Sequence, residues 1–171
     1  VDQDVDWKNV EMFHLDEYIG LSESHPASFR KYLRDRFTNI VPVTPYFVNT
    51  EGDIRTNLEA LTGELRKETI DVGVIGIGEN GRIAFNDPPA DFDTREAYKV
   101  VDLDEKCRMQ QVGEGWFSSL EDTPAQAVSM TPYQIMQCRC IVSVVPMGGG
   151  LRRSGGRWKP KACPMRFRPP C

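Results

Sequence analysis

Residues Val72, Gly73, Val74, Ile75, Gly76 and Ile77 form a short apolar run, rich in β-branched side chains, and Gly76, Gly78 and Gly81 punctuate its end. A run of this length and composition predicts a strand buried on both faces, the kind from which parallel α/β sheets are built. The glycines let the backbone turn sharply at the carboxyl end of the strand and approach a ligand closely. That edge is where open α/β sheets bind small molecules. The spacing Gly76-x-Gly78-x-x-Gly81 formally fits a dinucleotide fingerprint. No clear helix opens at Gly81, however, and Pro88-Pro89 intervene, so spacing alone does not make a dinucleotide site. The polar residues that follow, Glu79, Asn80, Arg82, Asn86 and Asp87, read either as a solvated turn or as a site.

The flanking pattern extends the α/β rhythm. Residues 10–15 predict a strand, and residues 22–37 an amphipathic helix with Phe29, Tyr32, Leu33 and Phe37 on its inner face. Arg30, Lys31 and Arg34 fall on the other face, where they read as a solvated surface or as a phosphate contact. Residues 41–48 hold Pro42 and Pro45 and predict a loop with a short strand. A second helix is expected over 53–67, with Ile54, Leu58, Leu61 and Leu65 as its stripe. Short strands are expected over 97–103, 125–130 and 141–145, with a polar helix or turn over 105–112. Thr131-Pro132 offers a capped helix start. Trp116 and Phe117 are assigned to the core. The whole predicts a three-layer, Rossmann-like α/β fold with a mostly parallel sheet containing Phe13, Val74, Ile75, Val142 and Val144.

With 171 residues, 40% of them apolar and 27% charged, one globular domain is the default. No run reaches transmembrane length and no basic-then-apolar leader is present, which predicts a cytoplasmic protein without membrane contact. Five cysteines without paired CxxC spacing argue against a disulfide framework and a structural zinc site, so Cys107, Cys138 and Cys140 read as ordinary thiols. Residues 147–171 carry seven Lys or Arg and no acid, leaving the preceding residues with a net charge near −11. This Gly/Pro-rich stretch has no apolar periodicity and predicts a disordered or frameshifted tail rather than a nucleic-acid-binding one. Residues 1–146 form the expected domain.

Two sets of words carry a resemblance. Gly76-x-Gly78-x-Asn80-Gly81-Arg82-Ile83-Ala84-Phe85-Asn86-Asp87-Pro88 resembles the active-site segment of the glucosamine-6-phosphate deaminase (isomerase) family, and Asp16-Glu17-Tyr18 with Gly20-Leu21 resembles its other signature. The likeness runs from about Val5 to Pro146 and includes His25-Pro26, residues 110–117 and residues 127–131. It implies an incomplete copy of the deaminase fold, lacking the strands, helices and phosphate loop that precede the DEY word in the family. It also implies a small-molecule sugar phosphate as partner, no cofactor and no metal, and it leaves homo-oligomerisation open.

A carboxylate at a strand end can move a proton between adjacent carbons, and Asp16 is the candidate. The resemblance assigns that enolisation step to the first acid of the DEY word, which is Asp16, and makes Glu17 an outer or substrate-binding residue. It further implies ring opening by a histidine assisted by an Asp and a Glu. At those positions this chain has Arg82, Asn80 and Asp87, and Gly76, Gly78 and Gly81 are the expected substrate-binding glycines. A guanidinium stays protonated and cannot exchange a proton as imidazole does, so ring opening is expected to be impaired. The implied activity is conversion of glucosamine 6-phosphate to fructose 6-phosphate and ammonia. The alternatives are an inactive sugar-phosphate binder or broken gene product, and a 6-phosphogluconolactonase-like hydrolase.

Overall fold

The computed structural model describes residues 5–78 and 81–144. Strand β1 (Glu11–Phe13) runs parallel to β3 (Thr44–Tyr46), with Phe13 opposite Tyr46 and their rings stacked 4.6 Å apart. Strand β4 (Val72–Gly76) runs parallel to β7 (Cys140–Val144), with Val74 opposite Val142. Between them in sequence, β2 (Asp16–Tyr18), β5 (Tyr98–Asp102) and β6 (Gln126–Met130) form an antiparallel sheet in the order β2-β6-β5. The architecture is α/β with parallel pieces, but Phe13 and Val74 do not share one sheet as the sequence suggests. Among the described residues, β1 bonds only to β3, and β4 only to β7. What joins them is side-chain burial. Ile75, Tyr98, Val128, Met130 and Ile135 form one core cluster against which Phe13, Tyr46 and Ile141 pack.

Helix α2 (Ile54–Leu65) forms as its stripe predicts, with Asp53 capping the backbone N–H groups of Arg55 and Thr56, and it buries Leu61 and Leu65 in that cluster. Helix α4 (Pro132–Ile135) opens as expected, Thr131 Oγ1 accepting from the backbone of Gln134. Helix α3 (Glu105–Gly113) is capped by Asp104.

Three expectations change. The long first helix is reduced to α1 (Phe29–Leu33), capped by Ser28 and continued by a π-helical turn over Arg34–Thr38, because residues 22–28 close their backbone bonds in turns instead. Strand β4 is buried on one face only: Ile75 is 6% exposed whereas Val72 and Val74 are 53% and 61% exposed, since no layer covers their side among the described residues. Phe117 is buried, but Trp116 lies at the surface because only the former reaches the aromatic cluster around Tyr18. The expected tail over 147–171 lies outside the described residues, and among those described no helix is long and apolar enough to cross a membrane.

Candidate functional site

The site is built where β2 meets β6 and the glycine segment folds over both. Asp16 pairs with Ser129, Glu17 with Val128 and Tyr18 with Ala127. Alternation along a strand sends neighbouring side chains to opposite faces, so Asp16 and Glu17 meet different surroundings.

Glu17 is fully buried, and its carboxylate closes over the start of α1. Oε2 accepts from Ser28 Oγ at 2.9 Å and from the backbone N–H of Arg30 at 2.8 Å, while Oε1 accepts from the backbone of Tyr18 and Phe29. The buried Arg30 side chain reaches the same carboxylate at 3.4 Å and extends to Glu51 at 3.2 Å. Glu17 is therefore engaged by the start of α1. The reason is that a buried carboxylate needs several donors, and the amide-rich helix start supplies them. Arg30, expected on a solvated or phosphate-facing surface, is instead drawn inside by this charge.

Asp16 has the opposite character. Burial pushes its carboxyl up to about 7, the neighbouring Glu17 charge adds to the rise, and the Arg82 guanidinium opposes it. Arg82 follows the glycines, whose backbone sets its direction. The Gly78 N–H donates to the Arg82 carbonyl at 2.9 Å and the Gly81 N–H to that of Gly78, with Gly81 at φ 82°, a conformation that favours glycine. Ala84 follows at φ 53°. That turn is held by Asn86, whose side-chain amide donates to the carbonyls of Ile83 and Met130 and to Ser129 Oγ. Arg82 Nη1 lies 3.8 Å from Asp87 Oδ1 and donates to Cys107 Sγ, and its guanidinium sits 5.8 Å over the Phe85 ring. Burial works against the Arg82 charge, but Cys107, Asp87 and Tyr18 outweigh it and raise its pKa.

Asp16, Arg82 and Asp87 are thus brought into one electrostatic cluster with Gly78 and Gly81 as its backbone support. Gly76 ends β4. Asn80 lies outside the described residues. Sequence reasoning missed Cys107, which had no spacing signal, and Gln111, whose Oε1 accepts from the Tyr18 hydroxyl at 2.9 Å. A groove of about 1000 Å³ between α2 and β5 lies elsewhere, and several of its charges are matched there, as Arg55 with Glu59 and Lys99 with Asp91. A carboxyl that titrates near neutrality beside a fixed cation gives the cluster around Asp16 the stronger claim to chemistry. Among the described residues no group of His, Cys, Asp and Glu could hold a metal ion.

No family model matches the chain. It is 37% identical over 142 residues to a glucosamine-6-phosphate deaminase of an Exiguobacterium species, covering 82% of this chain and 54% of the relative. It is 30% identical over 144 residues to the enzyme of the same name from Streptococcus pneumoniae, covering 83% and 60%. A solved monomeric glucosamine-6-phosphate deaminase superposes with a TM-score of 0.70 at 29% identity, over 80% of this chain and 57% of the other. A 6-phosphogluconolactonase from Thermotoga maritima, at 13% identity and a TM-score of 0.60, shares the fold alone. The chain spans little more than half the length of the curated relatives it matches. With sequence shared over four-fifths of its residues and the fold shared with a solved deaminase, the chain is a homologue of the glucosamine-6-phosphate deaminases.

Proposed function

We propose that the chain carries the enolisation half of an amino-sugar phosphate isomerase and deaminase, acting in the cytoplasm on the open-chain form of glucosamine 6-phosphate. The observation that carries this reading is the Asp16 carboxyl raised to about 7. A base whose proton affinity matches the working pH both accepts and returns a proton efficiently. Asp16 takes the proton from C2 of the open-chain sugar and passes it to C1. This leaves an imine at C2, and water hydrolyses it to the ketone with release of ammonia. Arg82 stands at the position where the family resemblance expects a ring-opening histidine. Its guanidinium supplies a permanent positive charge for the oxygen that becomes anionic during enolisation, but it cannot shuttle a proton to the ring oxygen. Supply of substrate then rests on spontaneous ring opening.

Ammonia release from glucosamine 6-phosphate by the full chain tests the reading. Arg82→His is expected to raise the rate by about 10²-fold, the usual worth of a positioned general acid or base, and Asp16→Asn to abolish it. Equal rates in these two variants would remove the role given to Asp16. A second reading, a sugar-phosphate binder without turnover, is favoured by Arg82 itself. Saturable binding of glucosamine 6-phosphate with no ammonia from either the native chain or Arg82→His would select it.

A further inference from the structure

We propose that Cys107, in the first turn of α3, is a positioning residue that holds the Arg82 guanidinium within reach of Asp16. The inference rests on the reading of Asp16 as the proton-transferring group and assigns α3 a part in that site. Arg82 is a long side chain with many rotamers, and its usefulness as a fixed cation depends on something outside its own turn. Among the described residues, two groups contribute to that. Asp87 lies 3.8 Å from Nη1, and the same Nη1 donates to Cys107 Sγ.

The sulfur is itself closely packed. Cys107 is 5% exposed, its backbone N–H is taken by the Asp104 cap, and it packs in a cluster with Tyr18, Phe85 and Phe117. Its packing against these rings restrains the sulfur from following Arg82. A thiol is also a weak acceptor, so it fixes the direction of the guanidinium without neutralising it as a second close carboxylate would. The positive charge stays available to Asp16. The thiol responds to the pair in turn: burial raises the Cys107 pKa while the Arg82 charge and hydrogen bond pull it down.

The test is a ¹³C NMR titration of the full chain labelled at aspartate carboxyls, with Asp16 assigned through Asp16→Asn. It needs no turnover, so a failure of the deaminase reading leaves it interpretable. Arg82→Gln removes the cation and sets the full effect, a rise of the Asp16 midpoint by about one unit or more, the usual reach of a neighbouring opposite charge. Cys107→Ala is expected to produce at least half of that rise, and Cys107→Ser, which keeps an acceptor, little of it. An Asp16 midpoint unchanged in Cys107→Ala, or unchanged in Arg82→Gln, would overturn the proposal. Should Cys107→Ala not fold, the infrared S–H band of Cys107, assigned with Cys107→Ser, decides the matter. It shifts between the native chain and Arg82→Gln if the guanidinium contacts the sulfur, and an unshifted band overturns the contact.

Discussion

Replacing Glu17 by Gln keeps the volume of a fully buried side chain and removes only its charge and half of its accepting capacity. In the folded chain that carboxylate accepts from Ser28 Oγ and from the backbone N–H groups of Tyr18, Phe29 and Arg30, and lies 3.4 Å from the Arg30 guanidinium. A hydrogen bond to a charged group contributes about 1.5–3 kcal/mol, and breaking a buried ion pair from one side costs roughly 3–5 kcal/mol. The terms overlap, and Arg30 keeps Glu51 at 3.2 Å, so the loss should be about 3 kcal/mol. For a domain of this size that lowers the thermal midpoint by roughly 6–12 °C. Urea denaturation followed by near-ultraviolet circular dichroism measures the first quantity, and calorimetry the second. The same substitution removes a negative charge that raises the Asp16 pKa, so the Asp16 midpoint should fall below 7 while the fold weakens. A loss under about 1 kcal/mol would refute the view that Glu17 organises the start of α1, and an unmoved Asp16 midpoint would refute its electrostatic link to the site.

His14 is buried against Phe47 with its Nδ1 unpartnered among the described residues, and burial with the Arg30 charge holds its pKa down at about 3 against an ordinary 6.5. Its contribution to stability is complete above pH 6.5 and is lost as pH falls toward 3, so His14→Leu should flatten that acid limb in urea midpoints; an unchanged slope would refute it. A Cβ at Gly73 would lie 2.9 Å from Cys138 Sγ, so Gly73→Ala should cost about 1–3 kcal/mol, with recovery when Cys138→Ala is added. A Gly73→Ala chain as stable as the native one would show that the Cys138 side chain can give way.

Element identity was legible wherever local chemistry decides it. Asp53 and Thr131 cap the helices that follow them, and the stripe of Leu58, Leu61 and Leu65 specifies α2. The separation of the described strands into three sheets was not legible, because a β-branched run such as Val72–Gly76 does not encode its partner. At the candidate site, Asp16, Arg82 and Asp87 were singled out by the words they sit in, and the structure brings them near one another. The partners of Glu17 were not legible, since the sequence does not show that the strand turns this acid toward the start of α1. Cys107 had no signal at all, as its meaning comes from α3 lying against the glycine segment.

Strand β2 finds its partner, β6, more than a hundred residues further along the chain. Contacts so distant in sequence form late and slowly, because a long loop must close before they bring any return. Asp16 is therefore synthesised well before Ser129 and becomes part of a site only after Ser129 has emerged. Until then the acidic strand has no neighbour to fix its register, and slow folding steps should control when the site appears. A substitution that weakens the β2–β6 ladder would act first on the rate at which competent chains accumulate, before any effect on the chemistry of those already folded.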